Sequence, residues 1–269
     1  MPSLRYLPYF FCACFLLMSG PRAEENTIAV EYQGRQIQIG ARFNKPSGPG
    51  PFPAVIVLHT CDGIDSQSST IGLWAALMQA QGYATLRPDS FTARGYAAVC
   101  SNTGAVSMQD RAQDVFASAY WLAGRPEIRA DRIAVLGLSH GGGAAVYIAR
   151  DHEELRPLRQ QLAARHGKIV ASVDLYGGCG SSAGHPVITP LLALLGGRDD
   201  WAPPAPCAAL ASAQANGIMQ IQVYPGAYHA FDGPRDRPVS YAGHMVGYDP
   251  AAAQDARSRV PQFMASYMR

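Results

Sequence analysis

The apolar and polar positions of the chain form short apolar runs that alternate with longer segments of helical spacing. Residues 27–32 and 36–43 alternate in polarity on either side of Gly34, which predicts a β-hairpin. The segment 51–59 ends in an unbroken apolar run, typical of a strand that is buried on both faces of a sheet. Further strands are predicted at 83–87, 132–138, 168–176, 190–195 and 219–224, and helices at 73–81, 107–122, 141–150, 205–216 and 251–268.

This order of elements indicates the fold class. Strands that alternate with helices over this length predict an α/β fold, in which a mostly parallel central sheet of about eight strands has helices on both faces. The chain contains no internal repeat and no low-complexity linker. The irregular stretch 177–189 is interpreted as a connecting loop. We therefore expect one domain over residues 24–269.

The N-terminal segment, residues 1–23, has the features of a secretory signal peptide. Arg5 supplies a positive charge, residues 6–20 are apolar, and a polar chain begins at Glu24. Because the apolar stretch is short for a bilayer span, a membrane anchor is the less favoured interpretation. The sequence predicts cleavage after Ala23 and an exported protein, periplasmic or secreted, that is not held in a membrane.

Composition excludes several functional classes. With 48% hydrophobic and 16% charged residues, the chain has the composition of a folded domain and not of a disordered one. Two of the 22 basic residues lie in the predicted leader, so 20 basic and 20 acidic residues remain. No cluster of Lys or Arg indicates a nucleic-acid surface.

Export also changes what the cysteines predict. Two of the six cysteines lie in the leader, and four remain, which is an even number for an oxidising compartment. The sequence alone allows three pairings of these four residues, which are Cys61, Cys100, Cys179 and Cys207.

A candidate nucleophile lies where a predicted strand turns into a predicted helix. The sequence Gly-Leu-Ser-His-Gly at 137–141 has the pattern of a nucleophile elbow, in which Ser139 occupies a sharp turn. Gly137 and Gly141 are required because a Cβ at either position would collide with neighbouring backbone. The alternative is a glycine-rich turn that contains a serine without a catalytic role.

A serine nucleophile requires a base, and in this architecture the histidine follows the serine and the acid along the chain. His229 is the favoured base because it follows the strand 219–224 within a tight loop. His185 and His244 are the alternatives.

The acid candidates follow a buried strand. Asp199 is preferred to its neighbour Asp200, which is expected to face solvent or to cap a helix. Asp174, near the end of the preceding strand, is a third candidate.

An oxyanion hole requires two N–H donors near the serine. The first is expected from the backbone of His140, directly after the nucleophile, and the second from the loop 59–63. Cys61 is favoured as the second donor, with Thr60 as the alternative.

The sequence also contains candidate residues for a substrate pocket. Trp201, Tyr228 and Phe231 lie in or near loops at the predicted catalytic end of the sheet and are candidate pocket residues. Arg94 is a candidate ligand for a substrate carboxylate, or alternatively forms an ion pair with a nearby acid. No HExxH, CxxC or dinucleotide-binding motif is present, so we expect no metal and no cofactor.

Five segments together resemble the dienelactone hydrolase family of α/β-hydrolases, and the similarity extends from about residue 36 to residue 265. These segments are LHTCDG, DSFTARG, GLSHGG, GGRDDWAPPAPC and YPGAYHAFD. The resemblance implies the α/β-hydrolase fold, with Ser139 as nucleophile, Asp199 as acid and His229 as base. The enzymes that give the family its name use cysteine as the nucleophile, whereas this chain has serine. Serine members of the family resemble broader carboxylic-ester hydrolases.

The resemblance also implies a disulfide pairing. The strand order of the family brings Cys61 near Cys100 and Cys179 near Cys207, all four in loops at the catalytic end of the sheet. The alternative is four reduced, buried thiols.

These observations predict a serine hydrolase that cleaves a small-molecule carboxylic ester, or a lactone, through an acyl-enzyme. A thioesterase or peptidase with the same triad is the alternative within enzymes. A binding protein that retains the fold without turnover is the alternative outside them. The oligomeric state is left open.

Overall fold

A computed structural model describes residues 23–66, 69–180, 184–214 and 217–269. The predicted signal peptide lies outside the described residues except for Ala23. The strands are β1 (Glu24–Tyr32), β2 (Arg35–Asn44), β3 (Phe52–Leu58), β4 (Ala84–Pro88), β5 (Ile128–Leu138), β6 (Ile169–Leu175), β7 (Leu191–Gly196), β8 (Met219–Tyr224), β9 (Val239–Tyr241) and β10 (His244–Val246). The helices are α1 (Ile71–Ala80), α2 (Met108–Ala123), α3 (His140–Ile148), α4 (Arg156–Ala163), α5 (Ala205–Ser212) and α6 (Pro250–Met268).

Strands β1 to β8 form one sheet in the order β1-β2-β4-β3-β5-β6-β7-β8. The pairs β1–β2 and β2–β4 are antiparallel, whereas all pairs from β4 to β8 are parallel. This topology confirms the predicted α/β-hydrolase fold with a mostly parallel sheet of eight strands. Strands β9 and β10 form a separate antiparallel hairpin.

Both faces of the sheet are covered by helices, because the central strands are apolar on both sides. In β3, Val55 and Val57 pack on one face with α1 and α6, while Ile56 and Leu58 pack on the other with α2, α3 and α4. Apolar side chains buried in this way supply most of the stabilising free energy of such a core.

The parallel register determines where function can lie. The carboxyl ends of β3, β5, β6, β7 and β8 point to the same edge of the sheet, so the loops that follow them converge there. All of the predicted catalytic residues follow one of these strands.

Several elements differ from the sequence-based expectation. Strand β5 begins at Ile128, four residues earlier than predicted, and α5 ends at Ser212. Helix α4 and the hairpin β9–β10 were not predicted. Within the described residues, no helix combines the length and the apolar character needed to cross a membrane.

Candidate active site

The turn between β5 and α3 places Ser139 in a strained backbone conformation. Its φ and ψ angles are 51° and −116°, a region that non-glycine residues rarely occupy and that costs of order 1–3 kcal/mol. The flanking glycines permit this turn. A Cβ on Gly137 would lie 2.0 Å from the carbonyl oxygen of Gly141, and a Cβ on Gly141 would lie 2.6 Å from that of Leu58. The turn is therefore a nucleophile elbow in its geometry.

Three side chains from three different loops are joined by hydrogen bonds at this edge of the sheet. Ser139 Oγ lies 2.8 Å from His229 Nε2, and His229 Nδ1 lies 2.8 Å from Asp199 Oδ2. An ionised carboxylate only accepts hydrogen bonds, so Nδ1 bears the imidazole proton and Nε2 accepts from the serine hydroxyl. The structure thus brings together the serine, histidine and aspartate that the sequence favours.

Asp199 is fixed by the backbone that follows it. Its Oδ1 accepts hydrogen bonds from the N–H groups of Trp201 at 2.9 Å and Ala202 at 2.8 Å, which leaves Oδ2 for His229. Asp200 points elsewhere, accepts from the Met245 N–H at 3.1 Å, and is exposed.

The other acid and base candidates lie outside this hydrogen-bonded chain. Asp174 is buried and accepts from the Gly177 N–H at 2.7 Å, and burial raises its pKa to about 7. His244 stacks on the indole of Trp201 with 4.7 Å between ring centroids. His185 lies beside the carbonyl oxygen of Asp151.

The loop after β3 also contributes to the surroundings of the serine. Cys61 and His140, the favoured oxyanion donors, line the same cavity as Ser139. Cys61 is bonded to Cys100, and the Val99 N–H donates to the Cys61 carbonyl at 2.8 Å. One disulfide and one backbone hydrogen bond therefore connect this loop to the segment that follows β4.

The second disulfide joins Cys179, in the loop after β6, to Cys207 in α5. Both disulfides are the pairs that the family resemblance implies. In the described part of the chain, each of the two groupings of potential metal ligands consists of one disulfide pair and one carboxylate, Asp62 or Asp174. A disulfide sulfur is not a thiolate, so neither grouping has the donor set of a structural zinc site.

A cavity of about 440 Å³ opens beside the serine. Met108 and Val146 supply apolar wall, glycine backbone from residues 177–180 forms one side, and Arg150 adds a guanidinium. A volume of this size fits a small organic molecule. Among the proposed pocket residues, Trp201 lines this cavity.

The other three proposed pocket residues lie elsewhere, which corrects the sequence-based expectation. Arg94 forms a buried ion pair with Asp114, at 2.8 Å, so its charge is already compensated within the protein. Phe231 is fully buried in the core, edge-on to Tyr176. The ring of Tyr228 packs against the guanidinium of Arg198 at 4.5 Å and does not line the cavity.

The hairpin β9–β10 contributes to the site, although the sequence did not predict it. Tyr241 donates a hydrogen bond to Asp62 in the loop after β3, and Val246 forms a parallel bridge with His229. The Tyr241 ring lies 6.2 Å from that of Trp201. The signal available in the sequence was the Ala242-Gly243 turn, at which both residues have positive φ, but its strands are only three residues long.

The sheet order and the helices on both faces define the chain as an α/β hydrolase. Comparison with family models narrows this class, because the model of the dienelactone hydrolase family matches residues 39–268. The chain therefore belongs to the dienelactone hydrolase family, as the sequence motifs predict.

Solved structures share the fold at low sequence identity. A candidate dienelactone hydrolase from Klebsiella pneumoniae is 23% identical with a TM-score of 0.66, over 92% of this chain and 100% of that chain. The dienelactone hydrolase from Anabaena variabilis is 20% identical with a TM-score of 0.60, over 93% and 100%. A dienelactone hydrolase-like promiscuous phosphotriesterase from metagenomic libraries is 17% identical with a TM-score of 0.61, over 93% and 100%. No curated protein matches the chain.

Proposed function

We propose that this protein hydrolyses carboxylic esters through an acyl-enzyme formed on Ser139. The observation that supports this most directly is the pair of 2.8 Å hydrogen bonds from Ser139 Oγ to His229 Nε2 and from His229 Nδ1 to Asp199. An imidazole that is held between a carboxylate and the serine hydroxyl in this way is oriented to act as the general base.

In the proposed reaction, Ser139 Oγ attacks the ester carbonyl carbon as its proton passes to His229 Nε2. The tetrahedral intermediate collapses, and the alkoxide leaves as an alcohol after it takes that proton. Water then attacks the acyl carbon with the same base, and the carboxylic acid departs from the regenerated serine. Asp199 stabilises the imidazolium during both steps.

The oxyanion would bind to the backbone N–H groups of His140 and Cys61. His140 is the first residue of α3, so its N–H is one of the helix N-terminal groups that form no intrahelical bond. In the described part of the chain, the Cys61 N–H donates to no acceptor. Both residues line the cavity beside Ser139.

The first prediction tests the nucleophile. Ser139→Ala is expected to lower the kcat for p-nitrophenyl acetate by at least about 10⁴-fold, because it removes the hydroxyl that lies 2.8 Å from His229 Nε2. Ser212→Ala, on the exposed surface of α5, is the matched control and should retain full activity. Circular dichroism of both variants should equal that of the starting protein. Substantial turnover by the folded Ser139→Ala variant would refute the proposal.

A fluorophosphonate probe separates catalysis from binding alone. We expect covalent labelling at Ser139, identified by peptide mass spectrometry, because the probe requires an activated serine. Failure of the folded protein to react would favour a binding protein that retains the fold.

The leaving group distinguishes the remaining enzymatic alternatives. The kcat/KM value is measured for each member of a series of substrates with matched acyl groups. The series consists of an oxygen ester, a lactone, a thioester and a peptide amide. The proposal expects the oxygen ester or the lactone to be turned over fastest. A preference for the thioester or for the amide would assign the site to a thioesterase or a peptidase.

We also propose that the protein functions after export to an oxidising compartment. The proposal rests on the two disulfides, which persist in such compartments and are rare in the cytosol. Fractionation of cells that express the full chain, with N-terminal sequencing of the product, tests both export and cleavage after Ala23.

A further inference from the structure

One arginine near the candidate active site is buried without a carboxylate partner of its own among the described residues. Arg111 lies on α2 and its side chain is fully buried. Its Nη1 donates to the carbonyl oxygen of His59 at 2.8 Å and to the imidazole Nδ1 of His140 at 3.0 Å. A single nitrogen therefore joins the loop after β3 to the first residue of α3.

The charge of Arg111 is poorly compensated by hydrogen bonds. Its Nε and Nη2 are buried without a hydrogen-bond partner among the described residues. The nearby carboxylate of Asp114 is already engaged by Arg94 through two hydrogen bonds of 2.9 Å and 2.8 Å. Burial lowers the pKa of Arg111 to about 10, so the group remains a cation at neutral pH.

A structural role alone does not explain this arrangement. Burying a cation costs several kcal/mol, and an apolar side chain of similar size commonly fills such a space without loss of stability. The guanidinium does pack on the Phe91 ring, at 5.4 Å from the centroid, but an aliphatic side chain would make that contact as well. What the apolar side chain lacks is the ability to hold two acceptors at once.

The two acceptors belong to the segments that supply the proposed oxyanion donors. His59 lies two residues before Cys61, and His140 provides its own backbone N–H. The imidazole of His140 is held at its other end too, because Nε2 donates to the Thr103 carbonyl at 2.9 Å. The direction is fixed, since an arginine can only donate to Nδ1.

The ring of His59 belongs to the same cluster and lies edge-on to Phe91, with 4.4 Å between centroids. Its Nε2 accepts a hydrogen bond from the Ser90 N–H at 3.1 Å, so Nδ1 bears the proton and donates to the Thr60 carbonyl at 2.8 Å. Burial lowers the pKa values of both His59 and His140, the latter to about 4, so both rings are neutral at neutral pH. Arg111, which contacts the His59 carbonyl and the His140 ring, is thus the charged group of this cluster.

We infer that Arg111 is a positioning residue for the oxyanion hole, which holds the Cys61 and His140 segments at a fixed separation through one shared nitrogen. Its guanidinium is buried and does not line the cavity, and a cation next to the donor segments favours negative charge on the oxyanion. The inference rests on the proposed function, because it assigns the residue a role in the transition state of that reaction.

The test compares Arg111→Met with Arg159→Met. Arg159 is a matched control, since its Nη2 also donates to two carbonyl oxygens, those of Ile148 and Arg150, and its guanidinium lies 5.7 Å from the Phe116 ring. Both substitutions remove one nitrogen shared by two acceptors, but only Arg111 contacts the proposed donor segments.

We expect Arg111→Met to lower the kcat for p-nitrophenyl acetate by about 10–100-fold while KM changes less than about threefold, because the interaction matters mainly in the transition state. A trifluoromethyl ketone forms a tetrahedral oxyanion on the serine. Its inhibition constant should rise by the same factor by which kcat/KM falls. Arg159→Met should lower the unfolding temperature but leave both quantities within about threefold. Arg111→Lys, which retains the charge and one donor, should be intermediate and serves if the methionine variant fails to fold.

Unchanged kcat in folded Arg111→Met or Arg111→Lys would overturn the inference, and so would equal losses in the Arg159→Met control. A higher KM at constant kcat would also overturn it, because that pattern indicates a loss of ground-state binding. If the starting protein neither turns over the ester nor reacts with a fluorophosphonate, the proposed function fails first. If the starting protein reacts but Arg111→Met reacts equally fast, only the inference about Arg111 is wrong.

Discussion

At the residue scale, three buried aspartates near the candidate active site differ in the hydrogen bonds that they accept. Asp199 accepts from two backbone N–H groups and from His229. Asp114 accepts two hydrogen bonds from Arg94. Asp174 accepts one from Gly177, and its Oδ2 has no partner among the described residues. The three aspartates therefore differ in their roles. Asp199 is the candidate that orients His229, Asp114 is an ion-pair partner, and Asp174 is favoured in its neutral form.

The second prediction concerns the orientation of His229. In Asp199→Asn, the amide oxygen is expected to accept from the Trp201 and Ala202 N–H groups, which turns the NH₂ group toward Nδ1. The imidazole proton would then move to Nε2, which could no longer accept from Ser139. We expect the kcat for ester hydrolysis to fall by about 10²–10⁴-fold, measured under substrate saturation.

Asp200→Asn is the control for that measurement, since its carboxylate is the chain neighbour but bonds to the Met245 N–H instead. Its kcat should stay within about threefold of the starting protein. Equal losses in the two variants would show that the 199–200 turn, and not the carboxylate on His229, sets the rate.

The sequence was informative for residues whose position follows from chain order and backbone geometry. Ser139, Asp199 and His229 each follow a predicted strand, and the parallel sheet brings strand ends to one edge. Side-chain direction within a loop depends on tertiary contacts. For this reason the sequence left Arg94 open between a substrate ligand and an ion-pair partner, of which the structure shows the second, and it misplaced Phe231. Asp114, which pairs with Arg94, lies twenty residues away on another element.

At the scale of elements, the two disulfides offer a comparison of links with different neighbours. Cys61–Cys100 spans 39 residues and Cys179–Cys207 spans 28. In the loop-entropy model, closures of these lengths stabilise the folded state by similar amounts, about 3.5–4 kcal/mol each. The first bridge contains a proposed oxyanion donor, whereas the second borders the cavity through Cys179.

The third prediction uses this similarity in loop length. The double variants Cys61→Ser/Cys100→Ser and Cys179→Ser/Cys207→Ser should lose comparable free energy of unfolding in urea. The first should also lower the kcat for ester hydrolysis by about tenfold, because the Cys61 N–H loses part of its fixed position. The second should mainly change KM. If kcat is unchanged in the first variant, the bridge contributes to stability without positioning the donor loop.

Two elements were beyond the reach of pattern analysis. Helix α4 is mostly polar, and its apolar contacts with the core come from Leu158 and Leu162. Its eight residues are fewer than the roughly 11 to 18 over which helical periodicity identifies a helix. The hairpin β9–β10 has short strands with mixed polarity and is held by contacts distant in sequence, such as Tyr241 with Asp62. The long strands and helices were predictable because the spacing of apolar residues within each segment indicates which faces are buried.

At the scale of the whole molecule, buried titratable groups with opposed shifts shape the dependence of stability on pH. Burial lowers the pKa values of His59 and His140, so stability is lost as the pH falls below 6.5, in the case of His140 over the range down to about 4. Asp174 acts in the opposite direction, since burial raises its pKa to about 7. Its contribution is complete at acid pH and is lost as the pH rises toward 7.

The last prediction isolates the contribution of Asp174 to global stability. Between pH 5 and pH 8 the unfolded chain has already released the Asp174 proton, while the folded protein retains it up to about pH 7. Folding therefore becomes less favourable as the pH rises. Asparagine is neutral throughout and its amide oxygen can still accept from Gly177. We therefore expect the stability of Asp174→Asn relative to the starting protein to increase with pH. The difference in the free energy of unfolding, variant minus starting protein, should be larger at pH 8 than at pH 5 by on the order of 2 kcal/mol.

Urea denaturation at the two pH values measures this difference, and Asp151→Asn provides the control. The hydrogen bond from Arg156 lowers the pKa of Asp151, so this carboxylate is ionised in both states throughout the range and its substitution should cost the same at pH 5 and pH 8. A constant difference for Asp174→Asn would mean that the Gly177 N–H holds the folded carboxylate in its ionised form even at pH 5. The Asp174 carboxylate would then be a buried negative charge that interacts with Asp199 over the whole range from pH 5 to pH 8.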